Sequence, residues 1–179
     1  MDPAAVAAAA MSQLDTNKNG AIEAAEMARS PGLRSAASMI DADKNGTLTE
    51  SEIAARLKRY TEFPDGNMTF TCTFTQGGQP LADAEVRLVP ESYFGESRRP
   101  ASGKTDANGL LDLKVEGQDT FGVPNGIYRI EISKKDAGGK ETLPATVNSS
   151  SQHGQEIARD RRELESGLRI EIAGGAAGQ

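Results

Sequence analysis

Two twelve-residue stretches carry oxygen-bearing side chains at alternate positions and end on a carboxylate. The first is Asp15-Thr16-Asn17-Lys18-Asn19-Gly20-Ala21-Ile22-Glu23-Ala24-Ala25-Glu26, and the second is Asp41-Ala42-Asp43-Lys44-Asn45-Gly46-Thr47-Leu48-Thr49-Glu50-Ser51-Glu52. Positions one, three and five are Asp15, Asn17 and Asn19 in one loop, and Asp41, Asp43 and Asn45 in the other. Short side chains so spaced can wrap a hard cation that seeks six to eight oxygens in a flexible cage. Gly20 and Gly46 stand at position six, where the turn needs a positive φ that a Cβ would strain. Glu26 and Glu52 close the loops. The chemistry on offer is cation binding.

Both stretches fit D-x-[DN]-x-[DN]-G-x5-E, and over roughly residues 2–60 the chain resembles the EF-hand family. That resemblance implies two Ca²⁺ ions. The side chains of Asp15, Asn17, Asn19 and Glu26 would hold one, and those of Asp41, Asp43, Asn45 and Glu52 the other, with both glutamates bidentate. Ala21 and Thr47, at position seven, would ligate through their carbonyls. Glu23 at position nine would act directly or through water, Thr49 through water. Ile22 and Leu48 are expected to meet in a short two-stranded contact between the loops. Each loop offers three acidic side chains at candidate ligating positions, Asp15, Glu23 and Glu26 in the first and Asp41, Asp43 and Glu52 in the second, so affinity is expected to be moderate, with Kd on the order of 10⁻⁶ to 10⁻³ M.

The flanking segments read as helices. Asp2 followed by Pro3 is a helix start, and an alanine-rich run with Val6, Ala10, Met11 and Leu14 on one face reaches the first loop. Ser30-Pro31 begins a helix that carries Leu33, Ala36, Ala37 and Ile40 inward. Thr49 caps a third, with Ile53, Leu57 and Tyr60 at helical spacing. Only residues 27–40 separate the loops, as in small bacterial EF-hand modules. Met11, Met27 and Met39 are expected to fill a small core; the alternative is a methionine-rich groove.

Residues 61–67 carry the composition of a linker, and beyond them the hydrophobic period changes from 3.6 to 2. Met68, Phe70, Cys72 and Phe74 alternate with threonines. Ala84, Val86 and Leu88 form a second strand. Asp106-Ala107-Asn108-Gly109 is a hairpin turn before Leu111, Leu113 and Val115. Further strands are expected over residues 126–132, 143–147, 155–158 and 168–172, with a disordered tail at 174–179. Seven or eight short strands indicate a β-sandwich. Gly78-Gln79-Pro80-Leu81, Ala84-Glu85-Val86, Thr105-Asp106-Ala107-Asn108-Gly109 and Gly126-Ile127-Tyr128-Arg129-Ile130 resemble the carboxypeptidase regulatory-like domain, which implies a transthyretin-like sandwich. The expected fold class is α+β in two domains, an all-α EF-hand pair at 2–62 and an all-β sandwich at 67–173.

Catalysis finds little support. Hydrolases and intradiol dioxygenases built on such sandwiches need several histidines, or two His and two Tyr on iron, and this chain has one histidine, His153, expected in an exposed loop. Ser149 to Ser151 lack an evident base, and Cys72 reads as a buried hydrophobe. Arg159, Arg161 and Arg162 beside Glu163 and Glu165 read as a solvated loop, with a docking patch as the alternative. The net charge of −6 is spread evenly: 7 basic and 10 acidic groups lie in residues 1–66, and 13 and 16 in the remainder. No basic block points to nucleic acid, and no apolar run is long enough for a transmembrane segment. Met1-Asp2-Pro3-Ala4 lacks the charged and strongly apolar regions of a signal peptide, so none is expected within this sequence, and removal of one upstream is compatible with it. The expectation is a non-enzymatic calcium-binding protein, secreted, periplasmic or surface-attached, with a β-sandwich module for an unidentified protein or surface partner. A calcium-dependent regulator, or an accessory domain for a carbohydrate-acting or proteolytic partner, are the rivals.

Overall fold

The computed structural model describes residues 1–62 and 66–172; residues 63–65 of the expected linker and the expected tail at 174–179 lie outside them. Asp2 accepts the N–H groups of Ala4 and Ala5 and so caps α1 (Pro3–Leu14). Strand β1 (Ala21–Ile22) leads to α2 (Ala24–Met27), a single turn, because Ser30 and Pro31 start α3 (Pro31–Ile40). Strand β2 (Leu48–Thr49) pairs antiparallel with β1, setting Ile22 opposite Leu48. A reciprocal capping box between Thr49 and Glu52 then opens α4 (Glu50–Thr61).

The remaining strands are β3 (Cys72–Gln76), β4 (Gln79–Pro80), β5 (Glu85–Pro90), β6 (Ala101–Lys104), β7 (Leu110–Leu111), β8 (Lys114–Val115), β9 (Gly126–Ser133), β10 (Gly154–Ile157) and β11 (Leu168–Ile172), with a short α5 (Arg162–Glu165). One sheet has the order β10-β9-β5-β6-β8; the other has β11-β3-β4, with β7 also on β3. β11 runs parallel to β3, a long return that local pattern does not encode. Cys72, Phe74 and Ile172 from one sheet share a core with Val86, Leu88, Ile130 and Ile132 from the other. The period-two alternation of β5 buries Val86 and Leu88 and leaves Glu85 and Arg87 in solvent.

β9 breaks that alternation at its start, where Ile127 and Tyr128 are both fully buried. Tyr128 faces the inter-sheet core, and Ile127 faces the helices. α3 lies across β9 and β10 at very close range. A Cβ on Gly154 would come within 2.1 Å of the Pro31 carbonyl carbon, and one on Gly32 within 2.9 Å of the Tyr128 carbonyl oxygen. Between the two layers Glu91, itself buried, accepts the Gly32 N–H at 2.8 Å.

The expected pairing of an all-α domain with an all-β one does not hold. The chain is a mixed α/β structure: only α1, α3 and α4 exceed one turn among the α-helices, and a two-stranded ladder lies among them. Three short, alanine-rich helices cannot cover their own apolar faces. Their core is completed by Tyr93, Phe94, Ile127 and Ala158 from beyond residue 66. Tyr93 and Phe94 come from a 3₁₀ segment, Ser92–Ser97, packed on α1. Burying each such side chain contributes about 1.5–3 kcal/mol, so the helices are stabilised as a layer on the sheet.

Three local expectations also change. Residues 143–147 form no strand; Glu141 gathers the N–H groups of Lys134, Thr142 and Leu143 and bends the chain into a 3₁₀ turn at Ala145–Val147. Met27 is buried, but Met39 is 41% exposed and fills no core. Arg161 is not solvated: its side chain bridges Glu156 and Glu163, with Leu164 of α5 buried beside it.

Two outcomes follow from the layer contact. Gly154→Ala should force α3 off β10 and lower stability by about 1–3 kcal/mol in urea unfolding; an unchanged midpoint would refute the close approach. Burial raises the Glu91 carboxyl above the usual range, against the opposing pull of the Gly32 N–H. A raised folded pKa gives stability that is fully present below the unfolded value, about 4.3, and is lost as pH rises through the folded one. The stability of wild type relative to Glu91→Gln should therefore fall between pH 4 and pH 7. A difference that is constant across that range would show that Glu91 is not desolvated.

Candidate metal centre

The loops take nearly the same backbone path. Gly20 and Gly46 have φ of 86° and 84°, and Lys18 and Lys44 at position four have φ of 58° and 60°. In each loop the first aspartate gathers two backbone N–H groups. Asp15 accepts from Asn19 and Gly20 (3.1 and 3.0 Å), and Asp41 from Asn45 and Gly46 (3.1 and 2.9 Å). Asn19 and Asn45 in turn accept the N–H of position seven, Ala21 at 2.9 Å and Thr47 at 2.8 Å. These bonds fold the alternate side chains toward the loop interior. The β1–β2 ladder ties the loops together behind them.

Position twelve is fixed by helix chemistry. Glu26 accepts the N–H groups of Glu23 (3.1 Å) and Thr16 (2.7 Å) and the Thr16 hydroxyl. Glu52 accepts the N–H and hydroxyl of Thr49 (2.9 and 2.7 Å) and the Ala42 N–H (3.0 Å). The Glu23 N–H, then the Thr16 hydroxyl, hold the Glu26 carboxyl below the usual range; the Thr49 N–H and hydroxyl do the same for Glu52. Both are therefore charged at neutral pH. Each reaches across its loop, to the residue after position one, and each sits at the start of a helix, where negative charge is favoured.

The loops differ in how far their carboxylates converge. Asp41, Asp43 and Glu52 each bring one oxygen within 4.8 Å of the others. No such trio forms in the first loop among the described residues. There position three is Asn17, and Glu23 is engaged by the side-chain amides of Asn19 (2.9 Å) and Asn17 (3.4 Å). No ion pair among the described residues involves Asp15, Glu26, Asp41, Asp43 or Glu52, whereas other carboxylates, among them Glu116, Glu156 and Asp160, meet arginines. Three carboxylates at this range without a counter-charge repel, at about 1 kcal/mol per pair in water near 4 Å and more at lower dielectric. The donor set is all oxygen, acidic and flexible, which fits a hard divalent cation of calcium type.

No family model, curated protein or solved structure matches the chain.

Residues that the loop motif did not flag anchor the centre. Glu52, Arg56 and Tyr60 recur every four residues along α4. Arg56 is 4% exposed and donates to Glu156 of β10 at 2.6 Å, and with both terminal nitrogens to Asp160 (2.7 and 2.8 Å). The Tyr60 hydroxyl donates to the same Glu156 oxygen. The available signal was an arginine in register with Tyr60, beside the apolar stripe of Ile53 and Leu57.

A lowered folded pKa gives stability that is present above the unfolded value and is lost as pH falls through the folded one. In chelator, the amide resonances of Thr49 and Ala42 should therefore titrate with a midpoint below the ordinary glutamate value of about 4.3. Thr16 and Glu23 should do likewise, and Glu52→Gln should abolish the titration only in the second loop. Midpoints at or above the ordinary value would show that these carboxylates do not hold the loops.

Proposed function

We propose that this is a calcium-binding protein without enzymatic activity, its two loops being EF-hand calcium sites. The convergence of Asp41, Asp43 and Glu52 without a counter-cation carries this reading. Ca²⁺ would neutralise that cluster at the second loop, with Asn45 and the Thr47 carbonyl supplying further oxygens. Asp15, Asn17, Asn19, Glu26 and the Ala21 carbonyl would form a weaker first site. The ion's part is charge neutralisation and ordering, and no reaction is assigned to it.

Elsewhere, groups that could be reactive have other surroundings. Cys72 is buried, and burial pushes its thiol up to about 12. His153 is half-buried, and burial followed by the Arg34 charge lowers its pKa. The two-sheet unit, in this reading a transthyretin-like sandwich, serves as an interaction module. A secreted or surface setting suits moderate sites, because calcium there is high enough to fill them. One observation favours the regulatory alternative: exposed Met39 lines a groove of about 340 Å³ with Ala42, Ser51, Ala55 and Arg59 beside Glu52. No helix among the described residues is long and apolar enough to cross a membrane.

Calorimetric titration of the full chain with CaCl₂ should show a stronger site, with Kd on the order of 10⁻⁶ to 10⁻⁴ M, and a weaker one. Asp43→Asn and Glu52→Gln should remove the stronger, and Glu26→Gln the weaker. Absence of calcium heat in the wild type would end the calcium reading; calcium-dependent exposure of dye-binding apolar surface near Met39 would favour the regulator.

A further inference from the structure

The helices that deliver the second loop's ligands are both pinned to the sheet. Asp41 follows directly on α3, whose first residues are wedged against β9 and β10 at Gly32 and Gly154. Glu52 stands in the first turn of α4, whose middle is held by the buried Arg56–Glu156 pair and by Asp160. The first loop is attached less directly. Its Glu26 lies on the one-turn α2, which packs on α3, and Asp15 ends α1, which packs on α4 and the 3₁₀ segment at Ser92–Ser97.

Arg56 lies one turn beyond Glu52, about 6 Å along the axis of a continuous helix. Its two-pronged bond to Asp160 fixes rotation as well as position, because guanidinium and carboxylate match in plane. Glu156 is fully buried, with Arg56, the Tyr60 hydroxyl and Arg161 as its partners. Losing the α4 contact would leave a buried charge poorly compensated, so β10 and α4 are ordered together or not at all.

We propose that Arg56 is a positioning residue for the second loop. Through Glu156 and Asp160 it makes the calcium affinity of that loop and the order of β10 two expressions of one equilibrium. This rests on the calcium reading above. Coupling of this kind is reciprocal: the sheet contact raises calcium affinity by the same factor by which calcium stabilises the contact. It is also selective, since the first loop lacks the anchor.

The test uses the full chain with CaCl₂ as probe. Asp160→Asn removes the partly exposed carboxylate and leaves the Arg56–Glu156 pair, so the fold should survive. It should weaken the stronger calcium site by about fivefold or more and leave the weaker site unchanged. Arg56→Lys should weaken the same site, while Glu116→Gln, which breaks the ion pair to Arg87 elsewhere on the sheet, should not. Hydrogen exchange with and without CaCl₂ should show greater added protection in α4 and β10 than in β3 and β11. Calcium binding with uniform protection throughout, or with wild-type affinity in Asp160→Asn, would overturn the coupling while leaving the calcium sites in place. No calcium binding in the wild type would overturn both.

Discussion

A carboxylate with no solvent exposure has to be paired, and Glu156 is the one on which the arrangement of this chain depends. Burying an ion costs several kcal/mol even after relaxation, and only close, well-directed partners offset it. The partners here are Arg56 and Tyr60 from α4, together with Arg161 from the segment after β10. Burial pulls the Arg56 pKa down, but its hydrogen bonds to Asp160 and Glu156 together with the nearby Glu156 charge raise it overall, so the guanidinium stays charged. The Tyr60 phenol is raised too, by burial first and then by Glu156, so it stays protonated and donates. Such a contact is poor evidence for added stability, since apolar residues could fill the same volume. It does fix register: α4 can sit in only one place on β10.

Once α4 is placed, the rest of the helical layer has little freedom. α3 must pass so close to β9 and β10 that glycine is needed on both sides, Gly32 on the helix and Gly154 on the strand. The space left around α1 is filled by Tyr93 and Phe94, whose rings lie 5.3 Å apart. This explains why the helices do not make a separate all-α unit. The residues that complete their core belong to the connection between β5 and β6, to the start of β9 and to the position just after β10.

Legibility in the sequence followed the range of the interaction. The loops, the helix starts at Asp2, Ser30 and Thr49, the contact of Ile22 with Leu48 and the alternation of β5 are set by residues a few positions apart, and their pattern could be read directly. Arg56 and Glu156 are a hundred positions apart. The register of Arg56 with Tyr60 sets it apart from the solvated Lys58 and Arg59 that follow it, but nothing local names its partner, and Glu156 reads as an ordinary residue of the strand expected over 155–158. Tyr93 and Phe94 stand among polar and charged residues in sequence, and the apolar surface that buries them belongs to the helical core far away in the chain, α1 included. Residues 143–147 alternate as a strand would, but Glu141 takes the Leu143 N–H and the Val147 N–H turns back to the Pro144 carbonyl. In the candidate site, the oxygen-bearing residues and the shared loop path were legible by type and spacing. The difference between the loops in carboxylate convergence depends on side-chain partners, and there the sequence showed only Asn17 against Asp43.

That single difference acts at the place best held by the sheet. Converging carboxylates without a counter-charge repel one another, and that repulsion favours drift of the flanking helices apart. In the second loop the pinning of α3 and α4 opposes that drift. In the first loop Asn17 replaces one carboxylate, and less anchoring is required; a side-chain amide meets a carboxylate in both loops, Glu23 in the first and Asp43 in the second. The uncompensated charge of Asp41, Asp43 and Glu52 and the compensated charge of Arg56, Glu156 and Asp160 meet on α4, where Glu52 and Arg56 stand about one turn apart. The helix therefore joins a cluster of carboxylates without a counter-charge to a pair of carboxylates that an arginine already bridges.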